Sequence, residues 1–414
     1  MDRVYRVYRA FSGCEHCQRG APEGVFYDVL AHKERGRVRP VDPAATTTAR
    51  QGLAGAKPGR MSEVSRPSLP VREGFFRASE TGGEARVAIQ TTVVGAYPKP
   101  PAEGGSFTLR KTLHAVERGE ATQDDLKGAR EALVREVIAE QQDAGIDLVT
   151  DGGVWWDDIV TPFARHMSGF EIGGLLRFFD NNVYYRRPVC TGPIEWRGPS
   201  SVAQWQFASS VADRPVKAVI PGPVTFARMS VDEHYADHTG FVNAIAAVLA
   251  QEAAELVAAG ARHLQIDEPA LLDAPEDLAL ARTSLETIVS EAGGAEVTLA
   301  TYFGDAKRLG ADLFTLPAEV FALDLISGLE SRNLLADLPS GKKVQAGIVD
   351  SRNTKLEDLD ALAVEIGTLA EEVGPDSLRV APSASLEFLP REKAQAKLRR
   401  LAEAAAKAST AVGG

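Results

Sequence analysis

The sequence predicts an α/β protein built as a (β/α)8 barrel, a TIM barrel, with an irregular N-terminal extension. Three observations support this prediction. Eight short apolar runs follow one another from residue 86 onward, amphipathic helical segments lie between them, and each run ends in small or polar residues. Strands buried on both faces are continuous apolar runs, which is typical of a parallel sheet. Eight strand–helix units of this kind close into a barrel.

The predicted elements fill residues 86–414. The eight strands are predicted at residues 87–95, 146–152, 216–223, 263–269, 296–304, 320–328, 343–351 and 377–385. Helices are predicted over residues 123–144, 242–259, 276–291 and 356–373, because each has apolar residues at i, i+3 and i+4 spacing.

Residues 1–85 differ in composition from the rest of the chain. They are rich in Arg, Gly, Pro, Ala and Thr and show no sustained periodicity, which predicts a mostly irregular extension. Residues 1–60 carry a net charge of +5, whereas the whole chain carries −11. The motif of Cys14, His16 and Cys17 resembles half of a metal knuckle, but no second pair of ligands follows it.

Composition excludes several classes of protein. The acidic body argues against nucleic acid as the main partner. No apolar run approaches the roughly 20 residues that cross a bilayer, so no membrane partner is expected. Three cysteines do not make a disulfide framework, and a cytoplasmic location is therefore expected. The motifs GxxxxGK[ST], GxGxxG after the first strand, and GxSxG do not occur, which argues against nucleotide hydrolysis, dinucleotide redox chemistry and serine hydrolysis.

Candidate functional residues follow the predicted strands. In a (β/α)8 barrel the carboxyl ends of all strands converge on the rim that carries the active site. A charged side chain at the tip of a buried strand must face either a partner or a ligand. Asp267 and Glu268 are therefore the candidate catalytic residues, and Asp151, Tyr302 and Asp350 are candidate substrate-binding residues.

A further candidate lies in VWWDDIV (154–160), just after the second predicted strand. An aromatic side chain beside acids, such as Trp156 beside Asp157, suits a flat heterocycle such as a pterin. Trp155 and Trp156 could equally cover the barrel rim, and the sequence leaves both interpretations open.

Several motifs in order along the chain resemble the cobalamin-independent methionine synthase family in its short, single-barrel form. These motifs are TTVVGAYPKP, GIDLVTDGG, IPGPVTFARMS, AGARHLQIDEPAL and AGIVDSRN. LATYFGD and FALDLISG resemble instead the N-terminal barrel of the long, two-barrel enzymes, which has lost its catalytic metal. The resemblance implies a transferase of methionine biosynthesis that moves a methyl group from a methyltetrahydrofolate to the thiol of homocysteine, which a zinc ion binds.

The sequence departs from the family at the implied zinc site. The four ligand positions hold Thr301, Phe303, Asp324 and Ala384, and only Asp324 could ligate zinc. Zinc is thus implied by the family, but three of its four ligand positions are replaced.

The contacts that the family makes with homocysteine are also changed. Ala96 stands in place of a Ser and Gly153 in place of a Glu, while the Asp survives as Asp267. Arg110 and Lys111 match a basic pair near the folate's polyglutamate tail in the long enzymes, or they simply begin a solvated helix.

Two hypotheses follow. The first is a methionine-synthase-like methyltransferase whose zinc and homocysteine contacts are largely replaced. The alternative is a non-methylating relative that binds a folate-like or other small molecule without zinc.

Overall fold

The computed structural model describes residues 88–102, 105–181 and 183–412. The strands are β1 Gln90–Thr91, β2 Phe170–Arg177, β3 Tyr184–Cys190, β4 Ala218–Pro221, β5 Val231–Asp232, β6 His263–Asp267, β7 Glu296–Thr301, β8 Val320–Asp324, β9 Lys343–Val349 and β10 Leu378–Pro382. The α-helices are α1 Thr108–Glu117, α2 Gln123–Asp143, α3 Thr161–Ala164, α4 Val202–Val211, α5 Pro223–Arg228, α6 His238–Ala258, α7 Leu278–Glu291, α8 Leu359–Val373 and α9 Arg391–Val412. Short 3-10 helices span Pro269–Asp273, Pro275–Asp277, Ala306–Arg308, Gly310–Thr315, Ser331–Asp337, Pro375–Ser377 and Leu386–Phe388.

Seven strands form one parallel sheet in the order β1, β10, β9, β8, β7, β6, β4. The sheet closes through an eighth position at residues 148–149. Thr92, just after β1, pairs with Leu148, and Val149 pairs with Val216, just before β4, both in parallel. All eight predicted apolar runs therefore take part in one ring, and the predicted (β/α)8 barrel is confirmed.

Two of the outer helices begin at aspartates that cap their N-termini. Asp237 accepts hydrogen bonds from the backbone N–H groups of Thr239 and Gly240 and caps α6, and Asp358 caps α8 in the same way. Helix α6 is long and apolar enough to cross a bilayer by length and composition. However, ten of its residues are buried in the protein core.

The connections from β7 to β8 and from β8 to β9 differ from the prediction of a regular strand–helix repeat. The first contains two 3-10 helices and the second contains one, in place of an α-helix. The first connection includes Gly304, Gly310 and Pro317, and glycine and proline both disfavour a continuous helix.

A small three-stranded sheet was not predicted from the sequence. Its strands β2 and β3 lie in the long connection between residue 149 and β4, and β5 follows α5. Strands β2 and β3 are antiparallel, and β3 pairs with β5 in parallel. The sequence DNN at 180–182, between two runs rich in Phe, Tyr, Leu and Val, is the turn signal that could have predicted the hairpin.

The predicted N-terminal extension, residues 1–85, lies outside the described residues, as do Cys14, His16 and Cys17. The boundary between residues 85 and 86 therefore stays a prediction.

Candidate functional site

The acidic residues predicted at strand ends lie at one rim of the barrel. Asp267 and Asp324 are the last residues of β6 and β8, while Tyr302 and Asp350 directly follow β7 and β9. Asp151 follows the paired residues 148–149. Because all these strands are parallel, their carboxyl ends face the same side.

A cavity of about 620 Å³, including its open mouth, lies at this rim. Five of the predicted site residues line it: Asp151, Trp156, Asp157, Asp267 and Tyr302. The cavity is also lined by residues that were not predicted from the sequence: Lys99, Asp158, Phe178, Glu387 and Phe388. Phe178 belongs to the connection that carries the missed hairpin, and Glu387 and Phe388 belong to a short 3-10 helix after β10.

Asp267 is fully buried and has a hydrogen-bond donor on each carboxylate oxygen. The side-chain amide of Gln265 donates to Oδ1 at 2.6 Å, and the hydroxyl of Tyr302 donates to Oδ2 at 3.0 Å. Burial raises the pKa of Asp267 from 3.8 to about 7, against the lowering effect of these hydrogen bonds and of Lys217. The carboxyl group can therefore gain or lose a proton near neutral pH.

Lys217, the residue before β4, is a buried cation whose charge acts on Asp267. Its Nζ donates to the side-chain oxygen of Gln265 at 2.5 Å and to the carbonyl oxygen of Val93 at 2.6 Å. The Gln265 amide thus connects the ammonium group of Lys217 to the carboxylate of Asp267. Burial lowers the pKa of Lys217 from 10.5 to about 7. A lone lysine inside the apolar run VKAVIPGP was the signal that could have identified it.

Glu268, the second predicted catalytic residue, does not line the cavity. Its carboxylate accepts hydrogen bonds from the backbone N–H groups of Val224 at 2.9 Å and Thr225 at 2.7 Å, at the start of α5. Gly222 is required there, because a Cβ on it would lie 2.1 Å from the carboxyl carbon of Glu268. These contacts give Glu268 a structural role, which is to hold α5 against β6.

Asp151 and Glu387 face the cavity with few partners. Oδ1 of Asp151 accepts a hydrogen bond from the backbone N–H of Gly153 at 2.9 Å. Glu387 is partly buried, and burial raises the pKa of both carboxyl groups. Lys99 lowers both pKa values through its charge, but its Nζ donates to the carbonyl oxygen of Trp156.

The two tryptophans of VWWDDIV take different places. Trp156 lines the cavity, and its ring meets that of Phe163 edge-on at a centroid distance of 5.5 Å. Trp155 is not a lining residue, and its ring lies 5.8 Å from the guanidinium carbon of Arg130. The aromatic wall that the sequence suggested therefore comes from Trp156.

Three other predicted substrate-binding residues lie apart from the cavity lining. Arg110 and Lys111 are exposed on α1, where Nζ of Lys111 donates to the hydroxyl of Ser106 at 3.0 Å. Asp350 borders a separate surface depression with Glu357 and Arg400. Their roles in binding stay predictions.

The four positions implied as zinc ligands carry few ligating atoms. Ala384 packs with Val94, Ala300, Tyr302 and Ala322 in a compact apolar cluster, and Phe303 packs against it. We call this cluster, with Phe303, the apolar plug.

The remaining two positions, Thr301 and Asp324, are occupied by other contacts. The hydroxyl of Thr301 donates to the carbonyl oxygen of Ala322 at 3.3 Å. Asp324 accepts from the backbone N–H groups of Ile326 at 2.9 Å, Ser327 at 2.7 Å and Phe303 at 3.3 Å. Structural and catalytic zinc sites use at least three protein ligands. This donor set does not fit a zinc ion.

The three positions implied as homocysteine contacts do come together. Ala96, Gly153 and Asp267 all line the rim cavity. A Cβ on Gly153 would lie 3.3 Å from the Cβ of Ala96, and Gly153 has a left-handed φ of 58°, which disfavours larger residues. The position where the family has a Glu is therefore shaped for glycine in this chain.

The barrel and its rim cavity define a class, the (β/α)8 proteins that act on small molecules at the carboxyl ends of their strands. Comparison with known proteins narrows this class. Residues 89–407 match the family model described as the catalytic domain of cobalamin-independent synthase. The methionine synthase of Sulfolobus acidocaldarius is 31% identical over 311 residues, which cover 75% of this chain and 89% of the relative. That of Saccharolobus solfataricus is also 31% identical, over 318 residues that cover 76% of this chain and 93% of the relative.

Solved structures agree in fold. A B12-independent methionine synthase from a Shewanella species, in complex with selenomethionine, superposes with a TM-score of 0.68 at 22% identity, covering 77% of this chain and 97% of that chain. A putative vitamin-B12-independent methionine synthase from Listeria monocytogenes gives a TM-score of 0.61 at 19% identity, covering 76% and 96%. The chain belongs to the cobalamin-independent methionine synthase family.

Proposed function

We propose that this chain binds a small organic molecule in the rim cavity and does not methylate homocysteine through a zinc-bound thiolate. The observation that carries the proposal is the apolar plug at the implied metal position. Phe303 and Ala384 offer no ligating atom, and three backbone N–H groups occupy the carboxylate of Asp324. Without a metal, the thiol of homocysteine stays mostly protonated at neutral pH and is a poor nucleophile.

The cavity itself supports the small-molecule part of the proposal. It is lined by Ala96, Gly153 and Asp267, the positions that the family resemblance implies as substrate contacts, and by the aromatic ring of Trp156. A concave, mostly apolar site with a few polar groups suits a ligand that is flat or compact, such as a folate-like molecule. Asp267 supplies a group that can accept or donate a proton near neutral pH. We place this activity in the cytoplasm.

Methyl transfer from a methyltetrahydrofolate to a thiol is the second candidate, because family membership and Asp267 favour it. Metal analysis after dialysis, combined with an assay of homocysteine methylation, separates the two. The proposal expects substoichiometric zinc and no methylation above background. One tightly bound zinc per chain with homocysteine turnover would refute it and establish the second candidate.

Binding of methyltetrahydrofolate, followed by quenching of tryptophan fluorescence, tests the folate-like ligand separately. Trp156→Phe, which removes the indole from the cavity wall, should weaken the quenching. Trp155→Phe is the matched control, because Trp155 does not line the cavity.

A further inference from the structure

The charges around the rim cavity are strongly unbalanced. Its lining contains one cation, Lys99, against five carboxylates: Asp151, Asp157, Asp158, Asp267 and Glu387. Two of the five have strong local partners. Asp157 forms an ion pair with Arg165 at 3.0 Å, and Asp158 accepts hydrogen bonds from the backbone N–H groups of Val160 and Thr161. Asp267 has the buried Lys217 as its counter-charge, so Asp151 and Glu387 carry the excess negative charge.

Glu387 is the least satisfied of these three carboxylates. Asp151 and Asp267 each accept at least one hydrogen bond, whereas Glu387 has no hydrogen bond and no ion pair with any residue that the structure describes. Lys99 lies close enough to influence Glu387 electrostatically but makes no ion pair within the described residues. Leaving a partly buried carboxylate unpaired is costly, and a bound cation would remove that cost.

The arrangement of the carboxylates indicates an organic cation rather than a metal ion. Among the described residues, no three His, Cys, Asp or Glu side chains lie close enough together to hold a metal. Around them, aromatic rings form much of the cavity wall: Trp156, Phe178, Tyr302, Phe303 and Phe388. Aromatic faces attract ammonium-type cations, and the attraction grows when water is excluded.

We propose that the rim cavity selects an organic cation, with Glu387 as its counter-charge and the aromatic rings as its walls. This rests on the proposed function, because it names a ligand class for the same cavity, an organic cation in place of a folate-like molecule. The cation is of the substituted ammonium type, compact enough for its charged group to reach Glu387 and apolar enough to contact the rings. Neutral ligands of the same shape gain the apolar contacts but leave Glu387 unpaired.

The test uses two probes of nearly identical shape. Choline carries a quaternary ammonium group, and 3,3-dimethyl-1-butanol has a neutral carbon in the same place. Binding of each to the full chain is measured at pH 8 by ligand-observed NMR and by calorimetry. Choline should bind about tenfold more tightly than the alcohol, in keeping with one charge-assisted contact.

The variant Glu387→Gln keeps the size of the side chain and removes its charge. It should reduce the preference for choline to about twofold or less, while binding of the alcohol changes little. Glu392→Gln is the matched control, because Glu392 is exposed on the first turn of α9 and does not line the cavity. It should keep the full preference.

Equal binding of the two probes, absence of binding by both, or an unchanged preference in Glu387→Gln would each overturn the inference. These outcomes do not decide the proposed function, because zinc content and homocysteine methylation are measured without either probe.

Discussion

Two neighbouring regions of one barrel rim have opposite chemistry. The rim cavity, near β1, β6 and residue 151, presents carboxylates with few partners and an open space. The apolar plug, around the ends of β7, β8 and β10, shares Tyr302 and Phe303 with the cavity wall but contains no charged side chain. The carboxylate of Asp324 beside it is bound by backbone N–H groups. Both regions follow the same rule that parallel strands end at one rim. The difference shows that a position at the rim is not enough to make a side chain functional. A binding site also needs polar groups without partners that face an open cavity.

Restoring the implied metal ligands should change the apolar plug most, because it would turn the plug into a metal site. The combined change Thr301→His, Phe303→Cys and Ala384→Cys places three strong ligands at the ends of β7 and β10, with Asp324 as the fourth. If the backbone still has the family geometry, the variant should retain about one zinc ion per chain after dialysis, as measured by elemental analysis. A variant that folds, by circular dichroism, yet holds no zinc would mean that the plug differs from the family in shape as well as in composition.

Removing the buried cation beneath the cavity should have the largest effect on stability. Lys217→Met removes the closer of two donors to the carbonyl oxygen of Val93 and leaves Asp267 without its buried counter-charge. We expect the free energy of unfolding to fall by about 3–5 kcal/mol, as when one member of a buried charge pair is removed. Urea denaturation measures it, and Lys393→Met, at an exposed lysine, is the control. A loss below 1 kcal/mol would contradict the proposed coupling through Gln265.

The adjacent carboxylates Asp267 and Glu268 offer a sharper comparison. Glu268→Gln weakens the hydrogen bonds to the start of α5 and should cost about 1.5–3 kcal/mol of stability, with ligand preference unchanged. Asp267→Asn should cost less stability and instead weaken choline binding at pH 8. Urea denaturation and calorimetry on both variants test this. The same pattern of losses in the two variants would show that the separation of roles is wrong.

The smallest expected effect concerns pH. In the folded chain the pKa of Asp267 is raised from 3.8 to about 7. Between these two pH values, Asp267 is protonated in the folded chain and ionised in the unfolded chain. Its contribution to stability is therefore fully present below about pH 4 and is lost as pH rises toward 7. The stability of the wild type relative to Asp267→Asn should fall by about 1 kcal/mol or more between pH 5 and 7. If the stability of the wild type relative to Asp267→Asn instead rises between pH 5 and 7, the pKa of Asp267 is not raised by burial.

The fold could be predicted from the sequence because its signal is repeated eight times. Each barrel strand is an apolar run with a polar end, so errors in one run do not change the outcome. The β2–β3 hairpin occurs once, its strands are partly exposed, and its glycines at 173 and 174 weaken the pattern. This explains why it was missed.

The site was less predictable because its residues are far apart in the chain. Asp151, Trp156, Asp267 and Tyr302 follow strands and could be proposed from position alone. Lys217 lies directly before β4 and Glu387 lies in a short helix after β10, so only the folded chain brings them close to the cavity. Asp267 and Glu268 are adjacent carboxylates at the end of the same strand, so the sequence does not distinguish them. Their hydrogen bonds do: Asp267 accepts from Tyr302 beside the cavity, and Glu268 accepts from the backbone at the start of α5.

The ring of strands has one thin seam. The other neighbouring strands are joined by ladders of two to five paired residues, whereas residues 148–149 connect β1 to β4 through two single bridges. Fewer backbone hydrogen bonds mean a lower free energy for local opening, so transient breathing of the barrel should begin at this seam. Asp151 stands two residues beyond it, and Lys217 lies one residue past the bridge on the other side. Asp151 and Lys217 thus lie on either side of the least strongly paired part of the ring. Small fluctuations there would let water reach polar groups that are buried in the folded structure.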